Sequence, residues 1–306
     1  MTNLKKLGLS ALAGSLVATT GYAGTLDVTG AAKVSYVSKD ETEVTGNPFS
    51  MTRTINFAGS GEMDNGMTIS YHQLLDAGAF SSSGLALDMG DAGVLKLSNG
   101  TAGGHGISAY EDKMPTANEQ VWDDLDGEAN GLVNISKANT LSYGTTLAGA
   151  NVSVSYNPDG GNATAESSRS VAVDFAPVDG AMVFYAMGDA AGTTRNNGTD
   201  LWTAGGTYTT GAVTVGVQLS ETDKTATNGD IDREAAAISF AVNENLSLSW
   251  GISTVEYEDS SKVDAESTGI SASYTMGGMT FGAVANKTDS FGGTSGTDRE
   301  FTEVSV

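Results

Sequence analysis

The stretch Leu246-Ser247-Leu248-Ser249-Trp250-Gly251-Ile252 decides the fold. Every second residue is large and apolar, and those between are Ser or Gly. A period of two is the mark of a strand with one greasy face and one polar face. The same alternation recurs outward in both directions. Toward the amino terminus it runs through Val213, Val215, Val217 and Leu219, through Val152, Val154 and Tyr156, and through Val28, Ala32, Val34 and Tyr36. Toward the carboxyl terminus it continues through Ile270, Ala272 and Tyr274, the 279–285 segment and 301–306. The segment 182–187 is apolar throughout and stays ambiguous. There are about sixteen such segments, most of roughly 8–12 residues, a length that suits a tilted strand crossing a bilayer.

The connections carry as much information as the strands. They alternate long and short without a break. Long ones are expected near 39–50, 76–83, 99–137, 157–167, 189–198, 221–231, 258–265 and 290–297. Short ones fall near 62–66, 90–92, 148–149, 177–180, 210–211, 243–245 and 277–278. One edge of the sheet therefore has tight turns and the other has extended loops, which predicts an all-β, transmembrane, antiparallel up-and-down barrel. A β-sandwich does not sort its loops in this way, and a solenoid would show a fixed repeat.

Composition closes other routes. The 306 residues carry 15 Lys and Arg against 37 Asp and Glu, a net charge of −22 that repels nucleic acid. There is no Cys, so disulfides, thiolate metal sites and thiol nucleophiles are excluded. Two His, His72 and His105, are too few for a His-rich metal centre. No nucleophile elbow, zincin motif or phosphate loop is present, so no enzyme is expected. Lys5 and Lys6, the apolar run 7–18 and Gly21-Tyr22-Ala23 read as a secretory signal peptide over 1–23, leaving 24–306 as one exported barrel domain.

Which face meets lipid is decided by size and chemistry. A barrel of about sixteen strands is too wide for side chains to fill. A face of Ser, Thr, Asn and Gly belongs against water, because an unpaired buried polar group costs about 1–3 kcal/mol. The aromatics Tyr36, Phe57, Tyr71, Tyr143, Tyr156, Phe175, Trp202, Tyr208, Trp250 and Tyr274 fall on the apolar parity, as lipid-facing girdles require. A wet lumen inside a greasy wall is a pore.

The connection over 99–137 is far longer than the usual loop and is expected to be functional. It follows the fifth strand. With that order the chain resembles the general diffusion porins of Gram-negative bacteria, a family of 16-stranded outer-membrane barrels. Arg53-Thr-Ile-Asn-Phe-Ala-Gly59 with Ser60-Gly-Glu-Met-Asp-Asn-Gly66 resembles the family's second strand and its turn. Gly84-Leu-Ala-Leu-Asp-Met-Gly-Asp-Ala-Gly-Val-Leu-Lys-Leu97 resembles the hairpin before the long loop. The resemblance implies a loop folded into the lumen, passive diffusion of small hydrophilic solutes and ions, a homotrimer and an outer-membrane location. Two features depart from the family. Thr54, Asn56 and Ala58 occupy inward positions where basic residues are common, while Arg53 has the lipid-facing parity. The chain also ends at Val306 in mid-strand rather than on an aromatic residue, so either the last few residues are missing or the end signal is absent.

On this basis the constriction is expected to oppose loop acids Asp112, Glu119, Asp123, Asp124, Asp126 and Glu128 to wall bases Lys33, Lys96, Arg233 and the titratable His72. A net acidic lumen favours cations. Asp123, Asp124, Asp126 and Glu128 are dense enough in carboxylate to suggest calcium, without the EF-hand spacing. Two other readings remain open: a substrate-specific channel on the same barrel, and a secreted structural or adhesive β-protein with a dry core.

Overall fold

The computed structural model describes residues 25–41, 45–100, 106–111, 113–123, 125, 139–158, 167–190 and 199–306. The expected signal segment 1–23 lies outside them. The strands are β1 (Thr25–Glu41), β2 (Phe49–Glu62), β3 (Thr68–Asp76), β4 (Ala79–Asp88), β5 (Val94–Asn99), β6 (Thr140–Leu147), β7 (Ala150–Asn157), β8 (Ser168–Phe175), β9 (Ala181–Ala190), β10 (Thr199–Thr210), β11 (Val213–Lys224), β12 (Ile231–Ala241), β13 (Leu246–Tyr257), β14 (Ala265–Met276), β15 (Met279–Asp289) and β16 (Arg299–Ser305). Each pairs antiparallel with its neighbours in the chain, and β16 pairs with β1 to close the barrel. The closing register runs from Ser35↔Ser305 to Glu41↔Arg299, and Val34 and Val306 exchange backbone hydrogen bonds just beyond it. No helix among the described residues is long and apolar enough to cross a membrane.

The alternation read from sequence maps onto the two faces. Val215, Leu248, Trp250, Ile270 and Tyr274 stand exposed on the outside, while Ser253, Ser267, Gln218 and Thr203 point inward and are buried. The expected girdle aromatics are outward. Tyr36, Tyr71, Tyr156, Phe175, Tyr208, Trp250 and Tyr274 are exposed, and Trp202 donates from Nε1 to Glu221.

The long and short connections sort to opposite ends with one exception. The expected long connection at 76–83 is instead a two-residue turn, Ala77-Gly78, with φ of 48° and 92°. Positive φ at both centres gives a turn whose twist matches the flanking strands. The run Ser81-Ser82-Ser83 reads as loop by composition, yet β4 continues through it, paired to β3 past a bulge between Leu74 and Leu75.

At the long-loop end the outward rows change character. Asp189, Asp200 and Asp223 lie directly opposite one another across β9, β10 and β11. Glu221, Asp232 and Glu256 do the same across β11, β12 and β13.

Candidate functional site: the lumen and its inserted loop

The long connection between β5 and β6 turns inward. Its described residues, 106–111, 113–123 and 125, run along the lumen wall from β8 round to β16. A 3₁₀ turn, Gly106–Tyr110, comes first. Ile107 and Tyr110 pack on Ala172, Phe184, Ala186 and Leu201. The Tyr110 and Phe184 rings stack with centroids 4.9 Å apart. Met114, Val121 and Trp122 then cover Ile231, Ala235, Val255 and Ala265. Leu125 ends on Val284 and Phe301. Lumen-facing glycines make room for this path. A Cβ at Gly216 would lie 2.5 Å from Pro115 Cδ, at Gly251 2.9 Å from Val121 Cγ1, and at Gly282 2.7 Å from Asn118 Nδ2.

The irregular backbone of the loop needs partners, since a buried unpaired N–H or C=O is costly. The inward polar row supplies them. Ile107 N donates to Ser170 Oγ at 3.1 Å, Ala117 N to Ser249 Oγ at 3.0 Å, and Asn118 N to Ser271 Oγ at 3.1 Å. Gln218 Nε2 donates to Tyr110 O at 2.7 Å, and Asn286 Nδ2 to Gln120 O at 2.9 Å. The expectation that the whole inward face meets water is therefore corrected. On the β8–β16 side it is a seat for the loop, and apolar inward residues such as Phe184, Leu201 and Phe301 belong to that seat. The ambiguous 182–187 segment is apolar on both parities because Phe184 and Ala186 face the loop while Val183, Tyr185 and Met187 face outward.

The four expected wall residues all point inward, but they do different things. Lys33 Nζ lies 2.7 Å from Glu119 Oε1 and 2.5 Å from Glu303 Oε1. Glu119 is thus docked on the wall rather than held across the pore from it. Arg233 is 1% exposed, lies with its guanidinium 4.0 Å from the Trp122 ring centroid, and donates from Nε to Ser253 Oγ at 2.9 Å. The loop covers its charge, so its expected place on the open wall is also corrected. Lys96 lines a cavity of about 680 Å³ with Tyr110, Ser142, Asn151, Ser153 and Asp174. His72 sits against Gly84, where its ring occupies the space a Cβ would need. Asp123 Oδ2 accepts from Gln120 N at 2.7 Å, closing a loop turn. Asp112, Asp124, Asp126, Glu128 and His105 lie outside the described residues, and with them most of the expected calcium cluster.

Sequence reasoning missed Glu303, Asp174 and Tyr110. Tyr110 Oη donates to Asp174 Oδ2 at 2.5 Å. Burial, followed by that carboxylate, holds the Tyr110 phenol well above its ordinary value. The inward parity of Asp174 and Glu303 was available as a signal; their loop partners were not.

A closed sixteen-strand barrel, apolar outside and polar within, with a loop drawn into its bore, defines an outer-membrane channel. The chain belongs to the Gram-negative porin family, whose model matches residues 8–306. It is a non-enzymatic outer-membrane channel for passive diffusion. Among solved structures, a triple mutant of the Rhodopseudomonas blastica porin matches at TM-score 0.62 and 16% identity, covering 92% of this chain and 99% of that one. A structure described as "Asymmetric conductivity of engineered proteins" matches at TM-score 0.64 and 16% identity over the same shares. A comparison with curated proteins finds no match.

Proposed function

We propose that the channel is trimeric and cation-leaning, and that it passes small hydrophilic solutes without a saturable binding step. The observation that carries the cation preference is the fate of the lumen's bases. Lys33 is held between two carboxylates and Arg233 is sealed beneath Trp122, so neither presents a bare charge to the bore. Lys96 does, in a cavity that it shares with Asp91 and Asp174. With a chain charge of −22, the field focused in such a bore favours cations. Trimerisation is supported by family membership. It is also supported by a hollow on the outer face of β12–β16, where Ala272, Ala283 and Ala285 form a floor between Trp250, Ile270 and Val304.

Planar-bilayer recording of refolded protein tests both parts. A salt gradient should give a reversal potential of cationic sign, with conductance steps grouped in threes. Lys96→Gln should move the permeability ratio further toward cations by about 1.5- to 3-fold, as expected when one lining charge is removed. An anion-selective wild type, or a Lys96→Gln channel with an unchanged ratio, would overturn the preference.

A further inference from the structure

Lys33 stands where three parts of the molecule meet. It lies on β1 one residue before the Val34–Val306 exchange that ends the closing seam. Its ammonium contacts Glu303 of β16 and Glu119 of the inserted loop together, at 2.5 and 2.7 Å. The Glu303 side chain is 6% exposed and that of Glu119 17%, so both carboxylates are shielded from the bore. Elsewhere in the described loop the wall holds backbone groups, mostly through neutral Ser, Gln and Asn side chains and at Leu125 O through a long 3.5 Å bond from Arg299. At Glu119 alone, among the interactions described above, it holds a charged side chain. Charge-assisted bonds of this kind are shorter and stronger than neutral ones. Glu119 also lies within a tight turn, because Thr116 Oγ1 donates to its carbonyl at 2.6 Å and Asp123 closes the next step onto Gln120. Fixing Glu119 therefore fixes residues 116–123.

We propose that Lys33 is the positioning residue of the pore: a latch that clips the inserted loop to the closing seam and so sets the width of the bore. This rests on the channel reading and adds the control of its aperture. The loop has wall behind it and open lumen before it, so an unclipped turn can move only into the bore. Lys33 then acts through Glu119 rather than on the permeating solute. The Glu303 arm ties the same ammonium to β16, which keeps it in place when the loop arm is lost.

The test uses full-length protein carrying Trp202→Phe and Trp250→Phe, which leaves Trp122 on the loop as the sole tryptophan of the three. In this background Glu119→Gln, Lys33→Met and Lys33→Arg are compared with the parent. Unitary conductance in planar bilayers, acrylamide quenching of Trp122 and the temperature at which the barrel unfolds in detergent are measured. Glu119→Gln and Lys33→Met should each lower mean conductance by about 1.5-fold, increase open-channel noise and raise the quenching constant about twofold, as expected for a locally released segment. The double variant should go no further than Lys33→Met, since contacting partners are not additive. Lys33→Arg should restore the parent behaviour. Glu119→Gln should leave the unfolding temperature unchanged, which separates loop position from barrel stability. Unaltered conductance and quenching in Glu119→Gln overturns the latch even if Lys33→Met fails to fold. A parent that conducts nothing while Trp122 responds as stated overturns the channel reading and leaves the latch standing.

Discussion

Tyr110 shows how one side chain links the loop to the wall. Its ring stacks on Phe184, its carbonyl accepts from Gln218, and its hydroxyl donates to Asp174. Because burial and the neighbouring carboxylate disfavour the phenolate, the folded value lies above the ordinary value near 10. The stabilising contribution is therefore complete below the ordinary value and is lost only as pH rises through the higher folded one. Ultraviolet titration of the refolded channel should show a late step among the nine tyrosines of residues 24–306, and Tyr110→Phe should abolish it. A late step that survives the substitution would mean another residue owns it. Tyr110→Phe should also weaken the seating of the loop by about 1.5–3 kcal/mol, the usual worth of a hydrogen bond to a charged group. None of this was legible in the sequence. Tyr110 sits in an irregular run where no periodicity assigns a direction, and Asp174 reads only as an inward acid. The inward parity of Lys33, His72, Lys96 and Arg233 was legible because strand period fixes it. Their partners were not, because parity says nothing about which loop residue arrives opposite.

Among the elements, β11, β13 and β15 carry the loop's track. Gly216 interrupts the run Val213 to Val217, whose other four residues are all β-branched, and Gly there weakens a strand and marks a close approach. The approach is that of Pro115 and Met114. Gly216→Leu should push this turn into the bore and lower unitary conductance by roughly twofold while the barrel still closes, because the displaced segment is loop rather than ladder. Equal conductance in bilayers would show that the track does not guide the loop. The hairpin at Ala77-Gly78 marks the other limit of reading by element. Ser81 to Ser83 carry a loop-like composition, and only the pairing of β4 with both neighbours overrides it. Strand count, order and the long insertion were readable because each rests on many residues agreeing. One turn of two residues rests on local chemistry alone.

For the whole molecule, the two faces of the sheet answer to different solvents. Val217 stands on the outward face of β11, away from the hollow on β12–β16, with 60% of its surface exposed. Val217→Arg should reduce the unfolding free energy in lipid vesicles by about 2–4 kcal/mol, the cost of a basic residue near the bilayer midplane. Thr54→Arg, on the inward face of β2, should leave stability nearly unchanged and shift ion selectivity instead. Similar stability losses in both variants would contradict the assignment of faces.

The carboxylate rows at the long-loop end also fix how deep the barrel sits. Asp189, Asp200 and Asp223 cannot enter hydrocarbon, so the oily layer must stop below them. Beneath Glu221 the outward apolar row of β11 spans Val213 to Leu219, which at about 3.3 Å per residue is roughly 20 Å along the strand and, at a tilt near 40°, about 15 Å in height. An apolar band is usually about 25 Å tall. Acyl chains beside this flank must shorten to fit, so the protein carries its own zone of pinched bilayer and settles where the membrane is already thin.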